Sequence, residues 1–153
     1  MTLNVNEPAD TELVSALPSY IREDRAAINS ISGGGNVGFT DLEIAGGTTS
    51  LTVGSDLGIY GFEVIKATGL AAISLVSILG GIEGQVKVFI FQDANISLTD
   101  GPKSDGKFYL NHLPALSDYD ASQSDVLALV NIGGDGATNH GYWKELYRTI
   151  AVK

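Results

Sequence analysis

Two histidines, eighteen acidic side chains and no cysteine are the material available for chemistry in this chain of 153 residues. The missing cysteine excludes a thiol nucleophile, a zinc–thiolate site and a disulfide framework. His112 lies in Tyr109-Leu110-Asn111-His112-Leu113-Pro114 and His140 between Asn139 and Gly141, so each reads as a loop or turn residue. No serine stands in a G-x-S-x-G elbow, and no H-E-x-x-H pair occurs. Glycoside hydrolysis needs two carboxylates at a set separation, and a surplus of acids selects no pair. The expectation is a protein that is not an enzyme, with neither catalytic residues nor a cofactor.

Asp93, Asn95, Asp100, Asp105, Asp118, Asp120, Asp125 and Asp135 offer hard oxygen ligands near Gly, Pro and Asn. Their spacing does not match a calcium-binding EF-hand loop. Asp and Asn in such places commonly bond their own backbone and make turns, so turn formation is the expected role and a metal is not. Gly33 to Gly38 spells G-x-G-x-x-G, yet it follows a helical pattern and leads into none, which fits a hinge and not a dinucleotide site. Asn95-Ile96-Ser97 spells a glycosylation acceptor, but the first residues have no basic and apolar leader to support export.

The elements that carry these residues follow from composition and period. Hydrophobic residues make up 44% of the chain and charged ones only 18%, with 19 glycines, a balance suited to many short strands and tight turns. The net charge of -9 argues against nucleic acid, which requires clustered Lys and Arg. The apolar stretch from Gly69 to Ile82 is too short to span a bilayer, so no membrane partner is expected.

Residues 1–12 read as a polar arm. Helical spacing then places Leu17, Ile21, Ile28 and Ile31 on one side, with Asp24 at the missing step and Pro18 in the first turn. That stripe suits either a short coiled-coil seam or a helix lying on a β body or on another protein, with Arg22, Glu23, Asp24 and Arg25 as solvated positions. Residues 1–32 thus form an N-terminal segment, 33–38 a glycine-rich hinge, and 39–153 a β domain.

From Phe39 the period changes to two. Thr49-Leu51-Val53 and Tyr60-Phe62-Val64-Ile65 read as strands, and 72–79 does too, because Gly flanks a run rich in Ile, Val and Ser. About seven to nine strands at such spacings predict a β-sandwich or jelly-roll-like domain. In the run Val86 to Phe91, Val86, Val88, Ile90 and Ala94 are expected to face inward and Phe89 and Phe91 outward, where a neighbouring subunit would cover them. Trp143, the sole tryptophan, is expected as a core anchor.

Gly81-x-Glu83-Gly84-Gln85, Asp93-Ala94-Asn95-x-Ser97, Asp125 to Val130 and Tyr142-Trp143-Lys144-Glu145-Leu146-x-Arg148 together resemble a β module of tailed-bacteriophage fibre and other virion surface proteins. The front end, Pro8-x-Asp10-x-x-Leu13-Val14-x-x-Leu17-Pro18-x-Tyr20-Ile21-Arg22 with Arg25-Ala26-Ala27-Ile28-Asn29, is similar to the N-termini of phage structural proteins. The resemblance implies a homotrimer located in the virion and assembled in the host cytoplasm. It implies that Leu13, Leu17, Tyr20, Ile21, Arg22, Arg25 and Ile28 serve attachment or oligomerisation, and that Phe89, Phe91 and Trp143 are interface or core anchors. The expected function is capsid decoration, with the N-terminal segment docked on a phage capsid or tail protein. The alternative is a tail-fibre module that binds a host receptor or glycan, although the chain has no shaft of repeats.

Overall fold

The computed structural model describes residues 37–110 and 118–149. The expected helix, the hinge up to residue 36, His112 and the attachment residues Leu13 to Ile28 lie outside them. Among the described residues the chain is mainly β, with no helix. Its strands are β1 (Val37–Ile44), β2 (Ser50–Thr52), β3 (Phe62–Gly69), β4 (Ile73–Leu75), β5 (Ser77–Leu79), β6 (Val86–Phe91), β7 (Ile96–Leu98), β8 (Phe108–Tyr109), β9 (Tyr119–Asp120), β10 (Val126–Ile132) and β11 (Tyr142–Thr149). The expected strand over 72–79 is present as β4 and β5.

Three sheets result. The main sheet runs β1-β3-β6-β10-β11-β8, the second β4-β7-β9, and the third pairs β2 with β5. Pairing between β1 and β3, β3 and β6, β4 and β7, and β2 and β5 is parallel. Jelly rolls and immunoglobulin-like sandwiches rest on antiparallel ladders, and among the described strands antiparallel ladders join β6 to β10, β10 to β11 and β7 to β9. Val37 lies beside Phe62 and Phe62 beside Val86, while Ile73 lies beside Ile96. The chain therefore winds past the same sheets with a period of about 25 residues, as solenoids do, before the β10–β11 hairpin extends the main sheet.

The core lies where the sheets converge. Ile65, Ala67, Phe89, Phe91, Leu127 and Leu129 come from the main sheet, Ile73, Leu75, Ile96 and Leu98 from the second, and Leu51 and Ile78 from the third. Trp143 is fully buried, and its indole N–H donates to the Ile78 carbonyl at 2.9 Å, tying β11 to β5. That bond meets the requirement of a buried indole for an acceptor. Phe89 stacks on Phe91 with ring centroids 6.0 Å apart, and Phe91 meets Tyr119 at 5.7 Å.

Candidate assembly face

Strand β6 faces the other way from its expected orientation. Lys87, Phe89 and Phe91 point into the core, while Val86, Val88 and Ile90 are half-buried on the outer face and Ala94 is exposed. Both faces of the strand are apolar, so the choice is made by a partner distant in sequence. Glu63 and Lys87 sit side by side in the β3–β6 register, both with fully buried side chains and 2.5 Å between carboxylate and ammonium. Facing inward, Lys87 finds Glu63 and brings the two phenylalanines with it. Phe89 and Phe91 are therefore core anchors, as is Trp143, and the surface left for a neighbour is the valine side.

The pair holds a short loop against the sheet. Lys87 also donates to the Gly58 carbonyl at 2.7 Å, and Glu63 accepts from the Gly58 N–H at 2.9 Å and from the Thr40 hydroxyl. Burial drives the Lys87 ammonium below its ordinary value, opposed by its hydrogen bond and attraction to Glu63. The Tyr60 ring lies against the backbone of Gly38 and Gly58, where an added Cβ would come within 2.1 Å and 2.3 Å of it. Only glycine permits that approach. With both side chains sealed from solvent, each charge is compensated only in this β3–β6 register and with Lys87 facing inward.

The outer face of the main sheet forms three rows across β1, β3, β6, β10 and β11. The first is Val37, Phe62, Val86, Val130 and Lys144; the second is Phe39, Val64, Val88, Ala128 and Tyr147; the third is Asp41, Lys66, Ile90, Val126 and Thr149. The central three columns contain only one charge, Lys66, whose ammonium lies over the Phe39 ring at 5.4 Å. Val37, Phe39 and Tyr147 are 70%, 64% and 59% exposed. Contiguous apolar faces of this kind commonly mark sites of contact.

Most of the acidic residues considered as ligands accept backbone hydrogen bonds, and Asp120 lies in strand β9. Asp93 accepts from the N–H groups of Gly69 and Asn95, Asp100 from Leu110, Asp118 from Asp100, and Asp125 from Ser122. Asp135 accepts from Ala137 and Asn139, and these backbone bonds lower its pKa. His140 accepts through Nδ1 from the Gly80 N–H at 3.0 Å, so it joins two turns. Among the described residues, no three His, Asp or Glu side chains are placed to hold a metal ion.

No family model, no curated protein and no solved structure matches the chain. The physical features are what remain to argue from. Besides the apolar face, the second sheet carries an open groove of about 360 Å³, where Ser74, Asn95, Ser97 and Asp120 supply polar groups beside Ile73 and Ile96. The sequence located the Asp turns and Trp143. It missed the Glu63–Lys87 pair, whose only local signal was a lysine inside the otherwise apolar Val86–Phe91.

Proposed function

We propose that this protein is a non-enzymatic structural component of a phage virion, a homotrimer that decorates the capsid. In this reading the N-terminal segment docks on the shell and the β body stands outward. The observation that carries the reading is the largely apolar centre of the main sheet's outer face, where Lys66 is the one charge, a surface suited to permanent contact with protein. The resemblance of the front end and of the 81–148 series to virion proteins supplies the setting. Light scattering of the full chain after size exclusion tests the oligomeric part. A mass of three chains is the expected result, and a single-chain mass at every concentration would remove it.

The groove beside Ser74, Asn95, Ser97 and Asp120 favours a second reading, a tail-fibre adhesin module. Its hydroxyl, amide and carboxylate groups are of the kind that bind sugar hydroxyls. A glycan array probed with the full chain separates the two readings. Decoration predicts no selective binding, whereas the adhesin reading predicts saturable binding lost in Asp120→Ala.

A further inference from the structure

We propose that Lys103, Tyr109, Tyr142 and Lys144, grouped at the β8–β11 edge of the main sheet, form a docking patch for an acidic segment of a partner protein. The inference goes beyond the decoration reading, which asks only that the N-terminal segment meet the shell.

The register of β8 and β11 assembles the patch. Lys144 and Tyr109 are register partners, and the neighbouring pair of Trp143 and Phe108 is fully buried, which turns the first two toward solvent. Tyr142 stands two residues before Lys144 on the same side of β11, and its ring meets that of Tyr109 edge to face at 6.1 Å. The Lys103 ammonium lies 4.6 Å over the Tyr109 ring. Two cations and two phenols thus project from one open corner of the sheet, with Lys107 two positions before Tyr109.

Charge selects the partner. The described cations are Lys66, Lys87, Lys103, Lys107, Lys144 and Arg148. Glu63 and Glu145 take Lys87 and Arg148, and Lys66 lies over Phe39. The other three fall at this edge, and neither of the ion pairs among the described residues includes them. The acids nearest along the chain are bonded elsewhere. Asp100 accepts from the Leu110 N–H, Asp118 from the Asp100 N–H and Asp105 from the Ser104 hydroxyl. In a chain of net charge -9, this corner is where an incoming carboxylate meets ammonium groups that have no carboxylate partner among the described residues. Remote acids are screened beyond about 10 Å at ordinary salt, whereas these contacts are direct.

Geometry narrows the class. The far edge of β8 is taken, because the Gly101 N–H donates to the Phe108 carbonyl and the Leu110 N–H to Asp100. An added strand finds no free backbone there, so recognition rests on side chains. The two rings cross at 81°, which gives no flat platform for a pyranose or a nucleobase to lie across both. Three lysines also neutralise too few phosphates to hold a nucleic acid against salt. Carboxylates on the flexible side chains of Asp and Glu reach separated ammoniums and phenol hydroxyls from a loop laid over the corner.

The test titrates an alternating Glu-Gly peptide and its Gln-Gly counterpart of equal length into the full chain by calorimetry at low salt, up to about 1 mM probe. Oligogalacturonate, which carries its carboxylates on sugars, is run alongside. Lys103→Gln, Lys144→Gln and the double variant are compared with Ser55→Glu, which lowers the net charge as much as either single variant. All three positions are exposed, so the fold is spared. The expected result is saturable binding of the Glu-Gly peptide and none of the Gln-Gly peptide. Either single lysine variant should weaken it about two- to fivefold and the double variant about tenfold, with Ser55→Glu unchanged. Equal binding of the Gln-Gly peptide, or a loss in Ser55→Glu as large as in Lys144→Gln, overturns the site. Oligogalacturonate bound more tightly than the peptide, with the same dependence on the lysines, overturns the protein segment and assigns the patch to an anionic sugar. Binding of neither carboxylate probe removes the patch and leaves the decoration reading standing.

Discussion

Replacing Lys87 by Met should destabilise the protein far more than replacing both members of its ion pair. Lys87 and Glu63 are 2.5 Å apart with no exposed side-chain surface. Without the ammonium, the Glu63 carboxylate keeps the Gly58 N–H and the Thr40 hydroxyl but loses its counter-charge. Stranding one charge of such a pair costs about 3–5 kcal/mol. In a domain of this size each kcal/mol moves the midpoint by about 2–4 °C, so a fall of roughly 6–20 °C is expected. The double variant Glu63→Gln/Lys87→Met removes both charges at similar volume and should come within about 1 kcal/mol of wild type, or exceed it. Urea unfolding followed by the fluorescence of Trp143, the only tryptophan and fully buried, measures all three proteins. The pH dependence adds a sign. Burial holds the Lys87 pKa below 10.5, so the unfolded chain binds the extra proton between the folded value and 10.5. Wild type should therefore gain stability relative to the double variant as pH climbs through that window. A single variant losing under about 1 kcal/mol, or a double variant as weak as the single, would refute the reasoning.

Three further outcomes follow from the same geometry. Burial, and then the Asp125 carboxylate, raise the Tyr119 hydroxyl above its ordinary 10.0, so the folded state keeps a proton that the unfolded state has lost. Stability should fall as pH rises above 10.0, and Tyr119→Phe should flatten that loss in alkaline urea melts. Gly58→Ala drives a methyl into the Tyr60 ring and should cost about 1–3 kcal/mol, much of it recovered in Gly58→Ala/Tyr60→Ala as measured by calorimetry. Trp143→Phe gives up core volume and the bond to the Ile78 carbonyl, and should cost about 2–4 kcal/mol with faster amide exchange in β5.

Much of the β architecture was legible locally. Alternation marked 49–53 and 60–65, and the glycine-flanked run over 72–79 became β4 and β5 despite its helical propensity. Trp143 was legible because a lone large aromatic in a β-rich stretch has little else to do than fill a core. The orientation of β6 was not legible. Valine and isoleucine on one side and phenylalanine on the other are equally apolar, and the residue that decides, Glu63, lies 24 positions earlier. The parallel winding was hidden for a related reason. Val37, Phe62 and Val86 share a row and a character, but their neighbours Gly38, Glu63 and Lys87 have nothing in common. A repeat of backbone path without a repeat of side chains leaves no periodic signal. Asp93, Asp125 and Asp135 accept from backbone N–H groups two to four residues away, the local effect on which the turn reading rested. Asp100 and Asp118 instead bond backbone 10 and 18 positions away, and Asp120 lies in β9.

The orientation of β6 also moves the expected interface. Outward phenylalanines would have placed the neighbour's contact at Phe89 and Phe91. With those rings in the core, the proposed contact passes to Val86, Val88, Ile90 and the row partners that extend them across the sheet.

The solution mass of the full-length chain, followed by light scattering over a hundredfold dilution, bears on all of this. The homotrimeric reading predicts a mass of three chains that persists on dilution and falls to one chain in Val88→Glu, with the folded near-ultraviolet signal of Trp143 retained. A wild-type mass of one chain throughout, with the same folded signal, would contradict it.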